Sequence, residues 1–155
     1  MIYLTLLISF FCLAAAFPDP IKTPGDTLNV TEAEVCTKGY AGRARNVSAA
    51  QKKRIYKAYG MDKDKPPCPC EVDHFYNLSI GGSNDDKNLW PQPYSGKWNA
   101  RQKDKLEVYL WRQVCKGNLT LKEAQEKIRT NWIKAYQEYE LEKEKNQGVV
   151  TQVVE

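Results

Sequence analysis

Between Glu71 and Trp90 the chain has the marks of a short hairpin. Glu71 to Ile80 is bounded by turn formers and alternates poorly, which predicts two short strand pieces around Asp73-His74. Gly81 to Asp86 predicts the turn, and Lys87 to Trp90 the return strand. His74 is the only histidine of the chain. On a regular strand its side chain and that of Asp73 would face opposite ways. A group that titrates near neutral pH, one residue from a carboxylate, is a candidate acid–base centre.

Helices are expected on both sides of the hairpin. Ser48 is a plausible N-cap for a helix to Tyr59, closed by Gly60, with Ala50, Ile55 and Tyr59 on its inner face. After a loop at Pro91–Gly96, Asn99 or Ala100 opens a second helix. There Leu106, Leu110 and Val114 recur at four-residue spacing and Gly117 ends the run. Thr120 and Glu123 form a capping box for a third helix, with Leu121, Ala124, Ile128, Trp132, Ala135 and Tyr139 on its core face. Cys36 to Val47 could hold a short strand through Tyr40, Arg43 and Arg45. Residues 17–35, rich in Pro, Thr, Asp and Asn, predict a flexible lead-in, and the charged and polar residues 140–155 a disordered tail.

Compartment is read from the ends and the cysteines. Residues 1–16 are almost wholly apolar and finish in Ala14-Ala15-Ala16, the pattern of a secretory signal cleaved after Ala16. No second membrane-spanning candidate follows it. Cys36, Cys68, Cys70 and Cys115 then form an even set in an oxidising compartment, compatible with three pairings. A four-thiolate zinc site is the rival reading, against which the spacing lacks paired Cys-x-x-Cys knuckles. Sequons at Asn29, Asn46, Asn77 and Asn118 suit a secretory route. Asn77 follows His74 by three residues, so a glycan there would crowd the cleft, and the expected glycosylation sites are Asn29, Asn46 and Asn118. The formal net charge is +4. From Lys38 to Lys65, nine basic residues stand against Asp62 and Asp64 alone. That is a field suited to a polyphosphate partner, although a solvated helix face looks the same in sequence.

Three motifs together resemble those of a known superfamily: Cys36-Thr37-Lys38-Gly39-Tyr40, Glu71-Val72-Asp73-His74, and Asn88-Leu89-Trp90-Pro91 after the Gly81-Gly82 turn. The chain resembles the His-Asn-His (HNH) endonucleases, the ββα-metal or His-Me finger superfamily, and within it small secreted HNH-like proteins. The resemblance runs from about Cys36 to Tyr136, with the domain set at 36–139. It implies an α+β fold with a ββα-metal core, a short hairpin plus a helix, flanked by further helices and stabilised by disulfides. The pairing it implies is Cys36–Cys115 with Cys68–Cys70.

The activity implied is metal-dependent hydrolysis of phosphodiester bonds in DNA, and in RNA by the same chemistry. Residue by residue, His74 matches the general base, and Asp73 the metal-ligating acid. Asn88 matches the central asparagine, which pins the loop by side-chain bonds to backbone. Asn99 is expected as a further ligand, with Asp104 or Glu107 as fallback. There is no second histidine, so the chain departs from the literal His-Asn-His pattern. Oxygen ligands would favour Mg2+ or Mn2+. Candidate phosphate contacts are Arg43, Arg45, Lys97, Arg101 and Lys103, with Tyr94 and Trp98 as stacking or core residues. The alternative is a secreted, non-catalytic effector or nucleic-acid-binding protein on the same scaffold.

Overall fold

The computed structural model describes residues 16–61 and 69–153, with side chains to Gln147. The expected signal segment, apart from Ala16, and Cys68 lie outside the described residues. The fold is mixed α+β. Its helices are α1 (Glu32–Val35), α2 (Tyr40–Ala44), α3 (Ala49–Ala58), α4 (Ala100–Cys115) and α5 (Leu121–Val153), and its strands are β1 (Cys70–His74) and β2 (Leu89–Pro93). The strands pair antiparallel with Asp73 opposite Trp90 and His74 opposite Leu89. Two 3-10 turns, at Leu78–Ile80 and Asp86–Asn88, fill the long connection between them.

Local chemistry sets the helix ends. Ser48 caps α3 by accepting from the Gln51 N–H at 3.1 Å. Thr120 and Glu123 exchange bonds at the start of α5, the expected capping box. Asn131 interrupts α5 with an extended backbone, φ −169°. Its side chain accepts from the Lys134 N–H at 3.0 Å and so restarts the helix. Leu106, Leu110 and Val114 of α4 bury against Ala124, Ile128 and Trp132 of α5. A smaller cluster, Ile55, Val72 and Leu89, seats α3 on the hairpin.

The Cys36–Cys115 disulfide ties the segment after α1 to the end of α4, with Cα atoms 5.5 Å apart. Closing a loop of that span constrains the unfolded chain by roughly 4 kcal/mol on the chain-entropy model. Cys70 is also disulfide-bonded.

Four sequence expectations change. The second strand piece, expected up to Ile80, is a 3-10 turn at Leu78–Ile80, and the return strand, Leu89–Pro93, runs into the loop expected at Pro91–Gly96. Residues 17–35 form an anchored strap rather than a flexible lead-in. Thr23 is buried, donating to the Leu89 carbonyl at 2.8 Å, and Gly25, Leu28 and Asp26 bond backbone groups of Lys87, Gly81 and Ser83. At its start, Phe17 stacks on Trp132 at 6.1 Å. These partners are all more than fifty residues away, so local composition carried no trace of them. The strand expected through Tyr40, Arg43 and Arg45 is the helix α2, which follows a left-handed Gly39 (φ 76°). The tail expected to be disordered continues as helix to Val153, since its Glu, Lys and Gln residues are good helix formers.

Candidate functional site

The connection between the strands is held by one side chain. Asn88 is fully buried. Its Oδ1 accepts from the Tyr76 N–H at 2.9 Å, and its Nδ2 donates to the carbonyls of Tyr76 and Ser83 at 2.9 and 2.8 Å. With a longer bond from the Asp26 N–H at 3.5 Å, four bonds to backbone fix the chain around the turn. Gly82 lets the loop close, because a Cβ there would lie 1.7 Å from the Tyr76 carbonyl oxygen.

His74 ends β1 and is 1 % exposed. Its Nε2 lies 3.1 Å from Oδ1 of Asn84. The orientation of Asn84 is fixed from two other directions. Its Nδ2 donates to the Ala44 carbonyl at 2.8 Å, and its Oδ1 accepts from the Asn46 N–H at 3.2 Å. An acceptor facing Nε2 assigns the proton to that nitrogen. Nδ1 therefore carries the free lone pair, and it is buried with no hydrogen-bond partner. Burial lowers the His74 pKa below its ordinary 6.5, outweighing the hydrogen bond that Nε2 donates to Asn84 and the charge of Asp73, so the neutral ring is favoured at pH 7.

Asp73, one residue earlier, meets the opposite environment. Its Oδ2 accepts from Lys103 Nζ at 2.9 Å. Lys103 is completely buried, and its ammonium also donates to the His74 carbonyl at 2.6 Å and to Glu107. Burial opposes the charge on Lys103, but Asp73 and Glu107 outweigh it and raise its pKa. Burial pushes the Glu107 carboxyl up to about 8 against the pull of that ammonium. Lys103 is thus a correction to the sequence reading. It is not a surface contact for phosphate, because its charge is already spent on two carboxylates and a carbonyl.

Beside this cluster lies a polar cavity of about 350 Å³ lined by Arg45, Lys52, Glu71, Asp73, Tyr94 and Asp104. Glu71 and Asp104 have raised pKa values, first from burial and then from repulsion by Asp73. Tyr94 donates to Glu71 at 3.0 Å. Burial and that bond lift its hydroxyl to about 12. The residues around His74, not His74 itself, form this wall. Among the described residues no group of three or more His, Cys, Asp or Glu side chains forms a metal cage.

The other expected site residues lie elsewhere. Asn99 is the N-cap of α4, its Oδ1 accepting from the Arg101 N–H at 2.9 Å and its Nδ2 donating to Gly96 at 2.8 Å. Arg43 donates to the Lys38 carbonyl at 2.7 Å. Lys97 sits 5.2 Å over the Trp98 ring, and Arg101 is exposed. Trp98 is half-buried against the core, edge-on to Trp132 and Tyr136. Asn29, Asn46 and Asn118 are exposed. Asn77 commits its Nδ2, the atom a glycan would take, to Glu107 at 2.8 Å, which favours leaving that sequon bare. Sequence reasoning passed over Asn84 as a turn residue, and its place two positions after Gly81-Gly82 was the one signal available.

Comparison with family models, with curated proteins and with solved structures finds no match to this chain.

Proposed function

We propose that the chain is a secreted phosphodiester hydrolase of the HNH type, acting on nucleic acid, with a ββα core formed by β1, β2 and α4. One observation carries this reading: a neutral imidazole whose proton is held on Nε2 by Asn84 and whose Nδ1 lone pair has no partner, next to the carboxylate that lines a polar cleft. That is the state a general base needs before it acts. On this reading substrate binding brings a cleft water to His74 Nδ1, buried in the free protein, which takes its proton as the water oxygen bonds to phosphorus; the bond to the 3′-oxygen breaks and that oxygen takes a proton from solvent. The products are a 5′-phosphate and a 3′-hydroxyl. Arg45 and Lys52 neutralise the phosphate.

A hard divalent cation fits the donor set. Asp73 and Asp104 line the cavity with oxygen donors only, and burial and repulsion by Asp73 raise the Asp104 pKa, an effect that a cation would oppose. Magnesium is commonly held by one or two carboxylates and the substrate phosphate rather than by a full protein cage. We assign the holding residues as Asp73 and Asp104, not Asn99, whose side chain is used by the helix cap. When bound, Mg2+ or Mn2+ supplies charge stabilisation at the phosphoryl and leaving oxygens. The apolar leader and the Cys36–Cys115 disulfide support secretion.

The burial of His74 and the engagement of Asp73 by Lys103 favour a second reading, a binding protein that uses this scaffold without cleaving. Plasmid nicking separates the two. Wild-type protein with Mg2+ or Mn2+ is expected to nick, and EDTA or His74→Ala to abolish it. Equal rates for wild type and His74→Ala would remove the catalytic reading, and no nicking by folded protein in either metal would establish the second.

A further inference from the structure

A second cavity, of about 410 Å³, opens between α2 and α4 and is walled by Tyr40, Gly42, Val108 and Trp111. It shares Arg45, Asn77 and Asp104 with the polar cleft, so the two are contiguous. We propose that this cavity seats an unpaired base of the strand whose phosphate lies in the cleft, making single-stranded nucleic acid the substrate. The inference rests on the phosphodiesterase reading and adds the substrate class to it.

Three features support that occupant. The cavity offers two aromatic side chains, the sequence-tolerant partners of bases in single-strand binding. Its volume lies in the range of small-ligand sites. The α2 side of the approach is positive: Lys38, Arg43 and Arg45 belong to that segment, and no acidic residue occurs between Lys38 and Lys57, while Asp104 and Glu107 line the α4 side. A base inside a duplex would have to leave its stack to enter, whereas an unpaired one is already free. Phosphate in the polar cleft and base in the adjoining, less polar cavity match the two halves of one nucleotide.

Gly42 provides the test. It lines the cavity, its backbone is helical, and a Cβ there would meet nothing within 4 Å. Gly42→Trp is therefore tolerated by the backbone and is expected to occlude the cavity, and Val108→Trp to do so from the α4 wall. The probe is a fluorescein-labelled ten-nucleotide oligothymidylate, alone or annealed to oligoadenylate, titrated with the full protein in EDTA and followed by anisotropy. Single strand is expected to bind about tenfold tighter than duplex. Either tryptophan variant is expected to lose about tenfold for single strand only, with an unchanged thermal midpoint. Wild-type affinity for single strand in both variants, or equal affinity of wild type for the two probes, would overturn the proposal. Metal-dependent nicking that survives such a result would leave the phosphodiesterase reading standing. Single-strand binding that is sensitive to Gly42→Trp, in a protein that never nicks, would keep the base site and remove the catalytic role.

Discussion

On one side of β1 the Asp73 carboxylate meets a buried ammonium; on the other, one residue later, the His74 imidazole meets a neutral amide. Strand pleating separates the two side chains, so a single dipeptide addresses two environments. On the Asp73 side charge is balanced by charge, and the balance depends on Lys103 arriving from α4 thirty residues away. On the His74 side burial favours the neutral ring, and the Asn84 amide selects the tautomer. An acid and a base can thus sit next to each other without forming an ion pair that would disable both.

The charged side should be the more fragile. Lys103→Met leaves Asp73 and Glu107 facing each other in a buried space, and urea unfolding should show a loss of about 3–5 kcal/mol. Adding Glu107→Leu to that variant should restore part of the loss, because the removed charge no longer needs a partner. A loss below about 1 kcal/mol in the single variant would mean that the ammonium does not hold the cluster.

Asn88→Ala strips four backbone bonds, one of them long, from the pin that both sides share, and should cost about 2–3 kcal/mol by the same assay.

The neutral side can be converted into a charged one. Asn84→Asp puts a carboxylate against Nε2 and should raise the His74 pKa by more than one unit, about 1.4 kcal/mol of differential stabilisation. A pH titration of the single histidine by NMR reads this directly. The sign in the wild type is opposite. Its folded pKa lies below 6.5, so the unfolded chain binds more protons near that pH. The His74 contribution to stability is complete above about 6.5 and is lost as pH falls through the folded value. In metal-free protein, His74→Gln should lack that limb.

The smallest effect should come from a cap remote from the strand. Thr120→Ala is expected to lower stability by about 1 kcal/mol in thermal or urea unfolding. Backbone hydrogen bonding holds its partner Glu123 below the ordinary carboxyl value, so that support is lost only as pH falls below about 4.5, a window separate from that of His74.

The sequence revealed the local part of this arrangement. The periodicity of Leu106, Leu110 and Val114, the Thr120–Glu123 box and the Ser48 cap are all short-range patterns, and the structure contains each of them, whereas the extent of the hairpin strands was set by the long connection between them. Lys103 escaped because a lysine among Arg101, Lys105 and Asp104 looks like a solvated helix face. Only the helix rotation that packs Leu106 and Leu110 inward brings it to Asp73. Thr23 escaped for a similar reason, its partners being the Tyr59 hydroxyl just after α3 and the Leu89 carbonyl of β2. Asn84 had the composition of any turn, and its bearing on His74 depends on the loop fold imposed by Asn88.

The central claim is that His74 is a neutral base with its proton on Nε2 and its lone pair on Nδ1. A long-range proton–nitrogen correlation spectrum of 15N-labelled protein at pH 7 tests it, since one histidine gives one pattern. A protonated, pyrrole-type Nε2 with an unprotonated Nδ1 is the expected result. A proton on Nδ1, alone or together with one on Nε2, would contradict the account.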